Sequence, residues 1–318
     1  MSGPTQRGLG NSGVQNTGGG TVNISQSAIG DHPTIRIRPA PEHAPRPPAS
    51  TETDRWDVGV ITVLSEETRA VAAVLAAAGT CRKQTHPNGL RFCEADIGTT
   101  GGHVKVVATQ ALDRGQRPAV IAFESLRQHY APAVVVLVGI AGGINPAVRL
   151  GDVVVVQEVI YYDLRKESLH EIFRRGQARP VPAAIRRAIN DFFSYHGEPY
   201  RASIEDQDGT LRTCNVLPGP IGSGEAVIAH KDSDVRQYVA SFNDKTLALE
   251  TEGGGLAEAF YEMADVTSAG SGWLAIRGIS DHADAAKDDS YHDIASWHAA
   301  TILRQLLPYL KPDGNTTG

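Results

Sequence analysis

The runs AVVVLVGIAGG, residues 133–143, and GDVVVVQEVIYYD, residues 151–163, decide the fold class. Both are rich in Val and Ile; the first, free of charge, reads as a strand running into a glycine turn, and the second as a long strand. The first ends in Gly139, Gly142 and Gly143, which read as a tight turn. Towards the N-terminus, RPAVIAFESLRQHY (117–130) reads as a helix, and LRFCEADI (90–97) and HVKVVATQ (103–110) as paired strands around GTTGG. SEETRAVAAVLAAAG (65–79) is an alanine-rich helix closed by a glycine C-cap, and DVGVITVL (57–64) a buried strand. Towards the C-terminus, PAAIRRAINDFFSYHG (182–197) reads as a helix and LRTCNVLPGPIGSGEAVI (211–228) as a strand followed by a loop. KTLALE (245–250) is a strand, EGGGLAEAFYEMA (252–264) starts a helix despite its glycines, and GWLAIRGIS (272–280) is a strand. HDIASWHAATILRQLLPYL (292–310) is a long amphipathic helix. Strands that alternate with helices imply an α/β layer protein.

No linker interrupts residues 55–311, which read as one domain, with residues 312–318 as a flexible C-terminus. Residues 1–54 differ. GNSGVQNTGGGTVNISQSAIGD is rich in Gly, Ser and Asn, and RPAPEHAPRPPAST is a proline-rich spacer. That composition buries little apolar surface and predicts a disordered tail. Its two alternating pieces, TVNIS (21–25) and TIRIR (34–38), have strand period and suit either pairing as a hairpin or docking on a protein partner.

The 318 residues are 41% hydrophobic and 21% charged, an ordinary globular balance. The formal net charge of −6 and the lack of a dense basic cluster argue against a nucleic-acid partner. No basic region precedes an apolar core at the N-terminus, and no apolar run approaches the roughly 18 residues of a membrane span. Cys81, Cys93 and Cys214 are scattered without a CxxC or Cys/His spacing, which predicts thiols in a reduced cytoplasm and no zinc. His282 and His292 lack a third ligand at suitable spacing, so no metal is expected.

Polar and glycine residues recur at strand ends: Ser65-Glu66-Glu67, Gly139 to Gly143, Gly222-Ser223-Gly224, Glu250-Thr251-Glu252 and Ser280-Asp281. In an open α/β sheet such ends converge on the ligand crevice. Taken singly, each has a plainer reading. Glu66 and Glu67 suit a helix dipole, and Asp281 suits a cap. The glycines after residue 138 have neither the GxGxxG nor the GK[ST] spacing of nucleotide loops. The run Gly253-Gly254-Gly255 costs roughly 1 kcal/mol per glycine in a helix, so something must approach that backbone closely.

In order and sequence, VGVITVLSEETRAV, VVVLVGIAGGINPAVRLGDVVVVQEVIYYD, GPIGSGEAVI, LALETEG and AIRGISDHAD together resemble the nucleoside phosphorylase superfamily. Within it they resemble the methylthioadenosine/S-adenosylhomocysteine nucleosidase branch, over roughly residues 56–310. The resemblance implies a three-layer α/β fold with a twisted, partly barrel-like mixed sheet flanked by helices. It implies a homodimer or larger homo-oligomer in which a neighbour often completes the site. It aligns Glu67 with the glutamate that activates water, Glu252 with the one that holds the ribose hydroxyls, and Asp281 with the acid at purine N7. Ser280 would orient Asp281. Glu250 and Thr251 belong to the ribose motif, while Ala141, Gly142 and Gly143 would line the sugar and nucleophile side. Ser223, Gly224, Glu225, Ala226 and Val227 would line the base, and Tyr291 falls where the family has an aromatic near the sugar.

These residue types suit cleavage of a ribosyl C–N bond, which builds a cationic sugar and negative charge on the base. A protonated, buried Asp281 can donate to N7, and positioned acids contribute about 10²–10⁴ in rate. An ionised Glu67 can deprotonate water, and Glu252 can accept from both ribose hydroxyls. No metal or organic cofactor is needed. The family usually has Met where Thr251 stands and small non-glycine residues where Gly253, Gly254 and Gly255 stand. These departures imply a roomier, more polar 5′ pocket suited to a phosphorylated or otherwise polar nucleoside, with Arg114, Arg165 or Lys166 to meet it. The expected activity is therefore hydrolysis of a purine nucleoside or nucleotide with release of adenine. Phosphorolysis remains open through Arg69 and Arg114. A nucleoside-sensing or effector domain, recruited through the tail to a bacterial defence or signalling complex, is the further alternative.

Overall fold

A computed structural model describes residues 56–87, 89–262, 272–284 and 290–311. The expected tail with its two strand-like pieces, and the expected flexible C-terminus, lie outside the described residues.

Strand β1 (Val58–Thr62) is buried along its whole length. It lies parallel to β4 (Gly102–Gln110) on one side and to β5 (Val134–Gly143) on the other. Strand β13 (Gly272–Asp281) continues the parallel set beyond β5, and all ten of its residues are buried. Burial on both faces explains why these segments read as unbroken apolar runs. Beyond β13 comes β6 (Val153–Tyr161), antiparallel to β13 but parallel to β11 (Leu211–Ser223). The short β12 (Ala248–Glu250) pairs with both β11 and β5. The path β11–β6–β13–β5–β12 therefore returns to β11, closing part of the sheet into a barrel. The resemblance implied this mixed, partly barrel-like sheet.

The flanking helices are α1 (Ser65–Ala78), α2 (Gln116–His129), α3 (Ala183–His196), α4 (Asp234–Phe242), α5 (Gly253–Glu262) and α6 (His292–Leu310). Helix α6 rests directly on β13, where a Cβ on Gly278 would collide with the backbone of Ala295. Several elements went unread in the sequence. They are β2 (Arg82–Thr85), β7 (Arg165–Glu167), β8 (Ile172–Arg174), β9 (Gln177–Pro180), β10 (Tyr200–Glu205) and α4. β3 (Arg91–Thr99) pairs with β2 at the sheet edge, and β7 with β8 as a separate exposed ribbon.

Three local expectations are corrected. Gly139 to Gly143 form the last half of β5 and make no turn. Gly79 is extended at φ −173° and makes no left-handed cap; it lies against the backbone of Asp96, where a side chain would clash. Cys81 and Cys93 are joined in a disulfide with their Cα atoms 5.7 Å apart, so only Cys214 is a free, buried thiol among the described residues. Their spacing showed no motif because the β2–β3 pairing that brings them together was itself unread.

Candidate active site

Strands β1, β5 and β13 run parallel, and their C-terminal ends open on one cleft. The cleft is lined by Glu67, Ala141, Gly142, Ala226, Val227, Glu250, Thr251, Glu252, Ser280 and Asp281, all expected from the sequence. Val63, Leu64, Arg114, Ile140, Ile228, Leu249, Ala283 and His292 complete its walls.

Glu67 lies at the third position of α1 and is 2% exposed. Its Oε2 accepts from the backbone N–H groups of Val63 (2.8 Å) and Leu64 (2.9 Å), and Oε1 from Ile140 (3.0 Å). The carboxylate thus caps its own helix and also reaches the end of β5. Burial raises its pKa, against the Arg277 charge and the three backbone donors that act the other way. The neighbouring Glu66 shifts oppositely, held low by backbone hydrogen bonding and by the Ser65 hydroxyl. Helix-dipole stabilisation therefore describes Glu66 well and Glu67 only in part. A Cβ on Gly139 would collide with the Glu67 carboxylate and with Arg277, so this glycine is needed for a close approach.

Glu250 and Glu252 bracket the entry to α5. Glu250 accepts from the N–H groups of Glu252 and Gly253, capping the helix. Glu252 Oε1 accepts from Gly115 N–H (3.1 Å) and from the Thr251 hydroxyl (2.5 Å). The fully buried Arg277 of β13 joins them: its Nη2 pairs with Glu250 and, at 3.1 Å, with Glu252 Oε2. Burial alone would lower the Arg277 pKa, but the carboxylates of Glu250, Glu252 and Glu67 overturn that and hold the guanidinium charged. Arg277 Nη1 makes no hydrogen bond among the described residues, and it borders Gly139 together with the Glu67 carboxylate. Sequence reasoning missed Arg277. Its signal was an arginine inside the wholly apolar strand WLAIRGIS, where only a buried ion pair could hold it.

Asp281 is 5% exposed at the end of β13. Its Oδ1 accepts from Ala283 N–H at 2.7 Å, and the Ser280 hydroxyl donates to Oδ2 at 3.1 Å. Ala283 adopts φ +50°, a costly conformation for a residue with a Cβ. Arg236 of α4 donates to the carbonyls of His282 (2.7 Å) and Ala283 (3.0 Å), which pins this turn.

Five expected residues do not line the cleft. Gly143 packs on Val148 and Ile279, and Gly224 on Tyr162. Ser223 is fully buried, accepting from Gly254 N–H and from Gln116 Nε2, each at 2.9 Å. Glu225 is exposed, and its N–H donates to Asp163. Tyr291 is the residue before α6, and its neighbour His292 faces the cleft instead. The close approach expected at the glycine run is made by protein: Gly253 abuts the Glu250 carboxylate, Gly254 abuts Tyr161, Gln116 and Ser223, and Gly255 lies against the Gln116 backbone. None of the three lines the cleft. Arg165 and Lys166 lie on the exposed β7 ribbon, and neither lines the cleft. Among the described residues no three His, Cys, Asp or Glu side chains gather as metal ligands would, and no helix is long and apolar enough to cross a membrane.

A family model described as "Phosphorylase superfamily" matches residues 57–308. The ATP nucleosidase Cap17 of Escherichia coli is 26% identical over 268 residues, which cover 79% of this chain and only 50% of that protein. The chain thus spans half the length of that relative. The 5′-methylthioadenosine/S-adenosylhomocysteine nucleosidase of Shewanella sp. (strain MR-7) is 30% identical over 261 residues, covering 80% of this chain and 98% of the relative. Among solved structures, the corresponding nucleosidase from S. pneumoniae superposes with a TM-score of 0.61 at 20% identity, over 80% of this chain and 100% of that one. Futalosine hydrolase of Helicobacter pylori superposes with a TM-score of 0.60 at 13% identity, over 81% and 99%. At these identities the structural likenesses speak for the fold alone. With the matched model covering β1 through most of α6, the chain belongs to the phosphorylase superfamily.

Proposed function

We propose that this chain is a purine nucleosidase, which hydrolyses the N-ribosidic bond of a purine nucleoside or nucleotide and releases adenine. The observation that carries this reading is the convergence of Glu67, Glu252 and Asp281 on one cleft, with Arg277 beneath them. The base lies at Asp281. Asp281, oriented by Ala283 N–H at Oδ1 and by the Ser280 hydroxyl at Oδ2, gives a proton to N7 as the C1′–N9 bond breaks and its electrons move to the base. Glu252 accepts from the ribose hydroxyls. Three carboxylates face a single buried guanidinium, and this surplus of negative charge matches the cationic sugar of the transition state. Glu67 takes a proton from water as its oxygen bonds to C1′, and the buried Arg277 guanidinium lies behind its carboxylate.

A phosphorylase would need cations around a phosphate nucleophile. Here the nucleophile side presents the Glu67 carboxylate; of the two arginines that kept phosphorolysis open, Arg69 is exposed and paired with Asp293 outside the cleft, and Arg114 lines it. These features favour water. Polar 5′ substituents fit the names of the relatives in part, since one of them is an ATP nucleosidase. The proposal extends to three expectations carried from the sequence: a homo-oligomer, a single catalytic domain over residues 55–311, and a tail that recruits a partner.

The test is base release from adenosine, methylthioadenosine, S-adenosylhomocysteine, AMP and ATP by the full chain and by Asp281→Asn. The wild type releases adenine from at least one of them. The variant keeps its melting temperature and loses on the order of 10²-fold or more in rate. An equally active variant would sink the acid assignment.

A further inference from the structure

Arginine 114 is the arginine that lines the cleft, and its guanidinium makes no hydrogen bond or ion pair among the described residues. The other lining side chain that can carry positive charge is His292, while Glu67, Glu250, Glu252 and Asp281 all line the same space. Most other arginines near this face are committed. Arg174 pairs with Asp234, Arg165 with Glu167, and Arg236 holds the turn after β13. An uncommitted cation at the rim of a carboxylate-lined cleft calls for an anionic ligand group.

Contacts within the site give its place along the cleft. Asp281 abuts Gly142 of β5, while Glu67 and Arg277 abut Gly139, three residues earlier and so roughly 10 Å away along the strand. Arg277 pairs with Glu252, and Glu252 accepts from Gly115 N–H, the residue after Arg114. Glu67 and Glu252 therefore gather around Arg277, away from Asp281, and Arg114 adjoins the Glu252 side. A nucleoside with its base at Asp281, its anomeric carbon at Glu67 and its hydroxyls at Glu252 directs the 5′ carbon towards the turn that carries Arg114. The acidic neighbours there are Asp113, whose Oδ1 accepts from the Arg114 backbone N–H at 2.8 Å, and Glu225 of the loop after β11, whose Oε2 lies 3.4 Å from where a Cβ on Gly115 would stand.

Building on the nucleosidase reading, we propose that Arg114 is the specificity-determining residue for a 5′-phosphate, so that the site prefers nucleotides to nucleosides. A guanidinium can grip two phosphate oxygens at once, and at an exposed rim this is worth on the order of ten-fold in selectivity. The experiment compares AMP with adenosine on wild type, Arg114→Leu and Arg114→Lys, by kcat/KM for base release and by calorimetric binding. The AMP-to-adenosine ratio is expected to fall about ten-fold in Arg114→Leu, and to recover in part in Arg114→Lys. An unchanged ratio in Arg114→Leu overturns the proposal. If the wild type binds both ligands but cleaves neither, hydrolysis fails and the binding ratio alone decides about Arg114. If it binds neither, both readings fail.

Discussion

Glu67 serves a helix and, on the reading proposed above, a reaction as well. It caps α1 through Val63 and Leu64, yet burial raises its pKa, so the folded chain favours the protonated carboxyl. A raised folded value means that stability linked to this group is full below its ordinary value of 4.5 and is lost as pH rises through the folded value. The melting temperature of the wild type relative to Glu67→Gln should therefore rise as pH falls from neutral towards 4.5. The same variant should lose about 10²-fold or more in turnover. The acid limb of wild-type kcat should lie above the ordinary carboxylate range, because only the ionised form activates water. A pH-independent difference in melting would show that Glu67 is ionised as easily in the fold as in the unfolded chain. At this scale the gathering of the carboxylates on one cleft was legible through motif order, because short motifs preserve neighbours along the chain. Arg277 was not, because its meaning depends on Glu250 and Glu252 meeting it across the sheet.

The entry to α5 shows why a helix tolerates three glycines. Gly255 faces the Gln116 carbonyl, and a Cβ there would stand 2.5 Å from that oxygen. An alanine gains about 1 kcal/mol of helix propensity in an ordinary setting. Here the obstacle is backbone at the start of α2, and overpacking costs about 1–3 kcal/mol. Gly255→Ala should thus lower the melting temperature. It should also lower turnover, because shifting α2 moves the Gly115 N–H that holds Glu252. A variant as stable and active as wild type would show that the contact between α2 and α5 yields without consequence. Elements with strong apolar period, such as β1, β5, β13 and α6, were readable from sequence alone. The edge strands β2, β9 and β10 and the short α4 went unread. β2 and β9 carry few apolar residues and are made regular by their pairing partners, whereas the alternation of β10 and the Ser233 cap of α4 were signals present in the sequence.

For the whole molecule, the closed path β11–β6–β13–β5–β12 gathers polar residues from distant sequence positions into one cleft. That closure relies on β12, three residues long, which carries Glu250 at its end. Fold class was legible because buried parallel strands leave unbroken apolar runs. On the proposed reading the choice of nucleophile is a property of the assembled site, with the Glu67 carboxylate on the side from which water or phosphate would approach. The most direct measurement incubates the full chain with adenosine and AMP, with and without inorganic phosphate, and identifies the sugar product by chromatography and mass. The account predicts adenine and free ribose, or ribose 5-phosphate from AMP, at rates that do not depend on phosphate. A sugar 1-phosphate that forms only when phosphate is present would contradict it.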